Sequence, residues 1–407
     1  MRTLVQKFGG TSVGSIERIR NVARRAAASH QAGDRVVVVV SAMAGETDRL
    51  LRLAREVCAL PHHREIDVLL STGEQVSIAL VALALHEAGV PARSLLGHQM
   101  RIVTDDAHGM ARIQTIDATS VTEALDAGEV VVIAGFQGVD ERGDITTLGR
   151  GGSDLSAVAI AAAIKADLCE IYTDVDGIYT TDPHIVRDAR KIARIGFEEM
   201  LELASQGAKV LQTRSVEFAM KHGVRLHVRS SFHDGEGSYV VPEEEVMEGA
   251  VVTGVAYDRN TAKITICAVR DEPGIAAQLL APLGDAGICV DVIIQNVALA
   301  GHTDLSFTVP QDELERAMAA IAEIARTLGS GTVTSDARVA KISVVGAGMR
   351  SQAGVAVTMF KALGAAGINI QMITTSEIKV SCVIDERFTE LAVRVLHEAY
   401  RLADPVA

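Results

Sequence analysis

RVVVVVSAM, Arg35 to Met43, sets five consecutive valines between an arginine and a serine. β-Branched side chains favour an extended backbone. The absence of polar alternation means that both faces of the strand are apolar, as in a parallel sheet covered by helices on both sides. The flanking chain agrees. RTLVQKF (Arg2 to Phe8) reads as a strand, and Ile16, Ile19, Val22, Ala23 and Ala26 then recur at helical spacing until Gly33. Further strands read from EVVVIAGFQG (Glu129 to Gly138) and DLCEIYTDV (Asp167 to Val175), with the helix DLSAVAIAAAIKA (Asp154 to Ala166) between them. This alternation predicts an α/β three-layer domain with a mostly parallel sheet. It runs to about Pro242, where the acidic PEEEVMEG reads as a linker.

Composition narrows the class. The 407 residues leave room for two or three domains, and 48% hydrophobic residues with 3% aromatics imply aliphatic packing. A net charge of −13 argues against nucleic acid or an anionic membrane as partner. No long apolar run follows the first charges, and runs such as AVAIAAAI (Ala157 to Ile164) are too short to span a bilayer, so a cytoplasmic location is expected. Cys58, Cys169, Cys267, Cys289 and Cys382 stand singly, without metal or redox spacing, and read as reduced thiols in apolar segments.

Beyond the linker lies an internal repeat. AKITICAVRDEPGIAAQLLAPLGDAGICVDVI begins at Ala262, and AKISVVGAGMRSQAGVAVTMFKALGAAGINIQMI begins at Ala340. Gly274 and Gly354, Gly284 and Gly364, and Gly287 and Gly367 each differ by 80 positions (354 − 274 = 364 − 284 = 367 − 287 = 80). Two copies of a small βαββαβ (ferredoxin-like) module follow. The expected domains are 1–245, 246–338 and 339–407.

Open α/β sheets place ligands at strand ends. Three glycine- or hydroxyl-rich segments follow apolar strands: KFGGTS (Lys7 to Ser12), SAMAGETD (Ser41 to Asp48) and TTLGRGGSD (Thr146 to Asp154). The first is not a P-loop, because Ser15 stands where that motif needs lysine and Lys7 precedes the glycines. The last leads into a helix, where Gly151, Gly152 and Ser153 would offer backbone N–H groups to an anion. Any one of these clusters alone is better read as a turn; the three together mark one functional sheet edge.

KFGGTSVGS, STGEQVS (Ser71 to Ser77), TTLGRGGSDLSA and IYTDVDGIYTTDP (Ile171 to Pro183) together resemble the amino-acid kinase family, and within it the aspartokinases, whose C-terminal tandem ACT modules match the repeat. The resemblance covers essentially the whole chain. It implies ATP-dependent phosphorylation of the side-chain carboxylate of L-aspartate, with Mg2+ accompanying ATP, held mostly by phosphates and water. No dedicated carboxylate cage for a metal is legible. A carboxylate acceptor is already ionised at neutral pH, so no catalytic histidine is expected, and most of the twelve histidines fall in loop or helix-surface segments and read as structural.

The resemblance assigns residues. Lys7 stabilises the phosphoryl group in transfer, and Asp154 orients Lys7, its alternative being a helix N-cap. Arg150 clamps the α-carboxylate and Glu74 pairs with the α-ammonium, against the alternative of a solvated glutamate at a helix start. Ser41, Thr47, Phe136, Thr147 and Ser153 complete the acceptor pocket. Gly9, Gly10, Thr173, Asp174, Tyr179, His184 and Lys209 contact the nucleotide, although Tyr179 also reads as ordinary strand-end packing. His184 departs from the family's usual arginine after TTDP and is a weaker phosphate partner, for which nearby Arg187 is a substitute.

Regulation by end-product amino acids, lysine and/or threonine, is implied at the ACT modules. Asp271, Gly274, Ile275, Ala276 and Gln295 of the first copy, with Thr358, Asn369 and Ile370 of the second, form the expected effector site across a dimer interface. The partners are thus ATP, L-aspartate, the effectors and a second copy of the chain, or a separate regulatory subunit started internally; Met247 stands at the linker, although a lone methionine is far more often an ordinary residue. Residues 249–262 are allowed to pack with the second module. Two rivals remain: a kinase for another small acid, glutamate or an N-acylated amino acid, and a non-catalytic amino-acid sensor.

Overall fold

The computed structural model describes residues 1–208, 210–246, 250–296, 301–328 and 331–404. The chain forms two compact units. One comprises 1–178, 191–204 and 209–247, and the other comprises 179–190, 205–208 and 248–407.

In the first unit the valine strand, Arg35–Val40, lies inside an eight-stranded sheet among the described residues. The order is Arg194–Gly196, Ser238–Val241, Leu226–Ser230, Leu168–Thr173, Thr3–Phe8, Arg35–Val40, Val130–Ala134, Ala92–Leu95. All neighbours are parallel except Ser238–Val241 against Leu226–Ser230. Val36 through Val40 are each 0% exposed, as burial on both faces requires. Val36, Val38 and Val40 share a core with Phe8 and with the helices Ile16–Gln31 and His63–Glu87. The alternate face meets the helix Gly152–Ala163.

Because the central strands run parallel, the loops leaving Phe8, Val40, Ala134 and Thr173 emerge at one edge. A smaller sheet is formed by Ile113–Ile116, Ile102–Thr104, Gln137–Val139 and Ile145–Thr147; its third strand takes the end of the stretch read as one strand from Glu129 to Gly138, which breaks at Gly135 and left-handed Phe136. The 63–87 helix is, by length and composition alone, long and apolar enough to cross a bilayer. The short apolar runs in the sequence concealed this. Here its apolar side, Ile78, Val81 and Leu85, packs into the core.

The second unit is built on an antiparallel six-stranded sheet among the described residues, ordered Ile293–Gln295, His302–Val309, Gly254–Arg270, Val333–Val345, Lys379–Asp385, Ile370–Thr375. The repeat is visible in the backbone. Helices Ile275–Asp285 and Val355–Ala365 each follow a left-handed glycine, Gly274 (φ 89°) and Gly354 (φ 96°). A Cβ at either position would be strained, so the paired glycines are a conformational requirement. Leu279, Leu283 and Phe307 centre one core; Met359, Leu363 and Ile384 centre the other. The long strand 254–270 serves both modules. Gly254–Asp258 pairs with Val345–Lys341, whereas Ala262–Arg270 also pairs with Val309–His302.

Residues 179–190, expected within the first domain, cluster with the second unit. The reason is packing: Ile185 and Val186 join the core containing Val252, Val255 and Leu396. The Thr180 carbonyl accepts from Val255 N–H at 2.8 Å, and Tyr257 donates to Asp182 at 2.9 Å. Two thiols expected in apolar segments, Cys58 and Cys289, are exposed; Cys169 and Cys382 are buried.

Candidate active site

Phe8 faces the core under the 16–31 helix, so strand alternation turns Lys7 to the opposite face, where the 152–163 helix begins. The Lys7 ammonium sits 2.6 Å from Asp154, with both side chains 11% exposed. The N-cap of that helix is Gly151, at φ 73°, without a side-chain cap bond. Asp154 therefore acts on Lys7 and not as a cap. The Gly152 N–H, expected to be offered to an anion, is engaged by the Gly149 carbonyl at 2.9 Å. A Cβ at Gly9 would lie 3.4 Å from the Lys7 nitrogen, and one at Gly10 would meet the Ala42 carbonyl oxygen at 2.9 Å. Gly10 is thus required by the close approach of the loop to Ala42, whereas at Gly9 a side chain would make an ordinary contact with Lys7.

Beside this ion pair is a cavity of about 490 Å3. Its walls include Lys7, Gly10, Ser41, Thr47, Glu74, Phe136, Thr147, Arg150 and Ser153. The structure thus brings every residue expected around the acceptor into one cavity. Glu74 does not start a helix; it lies in the middle of the 63–87 helix, 3% exposed. One carboxylate oxygen accepts from Ala42 N–H at 2.9 Å, and the other is buried with no hydrogen-bond partner among the described residues. Burial pushes this carboxyl up to about 7, against the opposing pull of the Ala42 N–H.

Phe136 adopts φ 68°, a left-handed conformation that costs a bulky residue about 1–2 kcal/mol. It is held there by Ser156, which accepts from its N–H at 3.0 Å, and by Leu148 N–H, which donates to its carbonyl at 2.9 Å. Sequence reasoning missed Asp67, Gly109 and Met43, which also line the cavity. Met43 stands inside the SAMAGETD segment and Asp67 lies seven residues before Glu74, on the same helical face, whereas nothing in the sequence marked Gly109.

Thr173 ends the strand beside Lys7, its hydroxyl 3.1 Å from Asp174. Tyr179 and His184 belong to the second unit. There Asp182 accepts from the His184 backbone N–H at 2.9 Å and lies 3.0 Å from its imidazole. Lys209, like Met247, lies outside the described residues.

In the second unit Asp271 donates its N–H to the Gly301 carbonyl at 3.1 Å, and Gly274 caps the following helix. A cavity of about 230 Å3 includes Ile275 in its wall but not Asp271, Ala276 or Gln295. Gln295 and Ile370 sit on the two edge strands of the sheet, with Asn369 just before the second and Thr358 on the 355–365 helix. Val292 and Ile294, just before Gln295, pack with Met372.

A cation fixed by an aspartate, next to a cavity with a buried carboxylate, suits transfer of an anionic group onto a zwitterionic acceptor. The comparisons with known proteins agree. Residues 2–230 match the amino acid kinase family, and 265–324 and 342–400 match ACT domains. An aspartate kinase of Pseudomonas putida is 55% identical over 406 residues, covering 100% of this chain and 99% of the relative. E. coli aspartokinase III solved with aspartate and ADP, in its R-state, superposes with a TM-score of 0.84 at 26% identity, covering 98% of this chain and 99% of that one. Its T-state complex with lysine and aspartate gives 0.75 at 26% identity, covering 97% and 99%. The chain belongs to the amino acid kinase family, in its aspartokinase branch with tandem ACT domains.

Proposed function

We propose that the cavity is the acceptor site for L-aspartate in the reaction ATP + L-aspartate → ADP + 4-phospho-L-aspartate. The observation that carries this is Glu74: a buried carboxylate oxygen without a donor, beside Lys7 and Arg150. Burying such a group is costly unless a ligand supplies the missing donor. An α-ammonium does so; an acylated nitrogen carries no charge and does not. Arg150 then takes the α-carboxylate, leaving the β-carboxylate to face Lys7. Ser41, Thr47, Phe136, Thr147 and Ser153 enclose it.

The chemical problem is repulsion between two anions. Lys7, held by Asp154, places fixed positive charge where negative charge crosses from donor to acceptor. Gly9, Gly10, Thr173, Asp174, Tyr179, His184 and Lys209 serve the nucleotide. The divalent ion that accompanies ATP is Mg2+. Among the described residues no group of three His, Cys, Asp or Glu could hold a metal. Of the carboxylates at the site, Asp154 pairs with Lys7, Asp67 accepts from Thr147 and Gly109, and Glu74 accepts from Ala42 N–H at one oxygen only. The main ligands of Mg2+ are the ATP phosphates and water, as suits an ion that dehydrates reluctantly.

Lysine and/or threonine bind the ACT modules of a cytoplasmic homo-oligomer and inhibit the kinase. The E. coli relative bound to lysine supports this reading. The retained Lys7–Asp154 pair speaks against a non-catalytic sensor. A coupled ADP-release assay comparing L-aspartate, L-glutamate and N-acetyl-L-aspartate tests the assignment. Turnover with aspartate and little with the others is expected; equal turnover with the N-acetylated acid would overturn the role given to Glu74.

A further inference from the structure

The acceptor cavity contains a second buried carboxylate, which no sequence motif marks. Asp67 is 0% exposed and lies two turns before Glu74 on the 63–87 helix. Its carboxylate gathers four donors from two other segments. The Thr147 hydroxyl donates to Oδ1 at 2.6 Å and the Thr147 N–H to Oδ2 at 3.1 Å. The Gly109 N–H donates to Oδ2 at 3.0 Å, and the His108 Nδ1 lies 2.8 Å from the same oxygen.

A cation completes the arrangement. Arg214, on the helix Thr213–His222, donates to the Leu148 carbonyl at 2.8 Å and to the Ala111 carbonyl at 2.9 Å. Ala111 N–H in turn donates to the Thr147 carbonyl at 2.9 Å. The turn from Thr147 to Gly149 is therefore held by an anion that takes its donors and a cation that takes its acceptors. Arg150 follows directly. Gly149, at φ 81°, packs so closely that a Cβ there would meet the Gly109 oxygen at 3.2 Å.

We propose that Asp67 is a positioning residue for the acceptor amino acid, fixing Thr147, Gly109 and through them the placement of Arg150. This rests on the acceptor-site reading above. The bond has a second consequence. With its proton given to Asp67, the Thr147 oxygen meets the cavity only as an acceptor, the polarity that suits an ammonium group. An amide in place of Asp67 would have one accepting oxygen for four donors and would point an N–H₂ at some of them.

The test is steady-state kinetics of the full-length chain, each substrate varied in turn, for Asp67→Asn, Thr147→Val and Thr147→Ser. Asp67→Asn should raise the KM for aspartate about 10- to 100-fold, as small misplacements of binding groups do, and leave the KM for ATP within about twofold. Thr147→Val should shift it in the same direction, and Thr147→Ser, which keeps the hydroxyl, should restore near wild-type values. Combining Asp67→Asn with Thr147→Val should cost less than the product of the single effects, because both break one bond. An unmoved KM for aspartate in Asp67→Asn, or a serine variant no better than valine, overturns the proposal. If Asp67→Asn does not fold, the valine–serine contrast decides alone. Failure of the site reading is distinguishable: the wild type would then release no aspartate-dependent ADP.

Discussion

Glu74 makes the pH dependence of acceptor binding a direct readout of the site. Burial raises its carboxyl from an ordinary 4.5 to about 7. If the α-ammonium fills the vacant contact at the second oxygen, the ionised form is favoured again and the group returns toward its ordinary range. A difference of about 2.5 units corresponds to about 3 kcal/mol of coupling between the ionised carboxylate and the bound ammonium. The sign follows from linkage. Below neutrality Glu74 must lose a proton before aspartate binds, so kcat/KM for aspartate should fall about tenfold per pH unit below about pH 7. The kcat at saturating aspartate should stay flat to about pH 5, because the complex holds Glu74 ionised. Initial rates at saturating Mg-ATP across about pH 5.5 to 8 test this, with Glu74→Gln expected to be weak but flat.

The same group has a stability signature. Its native pKa is raised, so the native state binds the proton more tightly than the unfolded chain. The penalty is absent below about pH 4.5, grows as pH rises, and is complete above about pH 7 at roughly 3 kcal/mol. Without aspartate, Glu74→Gln should therefore melt higher than wild type at about pH 8 and show no such gain at about pH 4.5. A wild-type kcat/KM independent of pH over this range, or a glutamine variant less stable at about pH 8, would refute the reasoning.

Lys7→Ala should lower kcat by about 10³-fold while circular dichroism and aspartate binding persist; a normal kcat would remove Lys7 from phosphoryl transfer. Arg150→Lys keeps charge but loses the planar fork, so it should raise the KM for aspartate far more than that for ATP; equal effects would assign Arg150 to the phosphates. His184→Arg should lower the KM for ATP and leave aspartate kinetics alone, as initial rates at varied ATP will show. Gln295→Ala should relieve inhibition by threonine, or by lysine plus threonine, with uninhibited kcat within about twofold. Inhibition curves at saturating substrates check this, and an unchanged inhibition constant would put the effector elsewhere.

What the sequence determined by itself was whatever local stereochemistry governs. Five consecutive valines could only be comfortable between two helical layers, and Val36 to Val40 are wholly buried. Glycines 80 positions apart announced two copies of one module, because Gly274 and Gly354 both cap helices with a left-handed backbone. Loops at parallel strand ends put Lys7, Ser41, Phe136 and Arg150 at one edge, and Asp154 was legible from the glycine turn before it.

Tertiary structure decided the rest, because desolvation and long-range pairing leave no local trace. The alternative for Glu74, a solvated glutamate at a helix start, fails because Glu74 is buried mid-helix, and that burial sets its proton affinity. Asp67 meets Thr147 across 80 residues and Arg214 meets Ala111 across 103, contacts invisible to any periodicity. Residues 179–190 followed a nucleotide motif in sequence but joined the second unit, because Ile185 and Val186 found their apolar neighbours there. Periodicity reveals which face of an element is apolar; only the assembled fold reveals what covers that face.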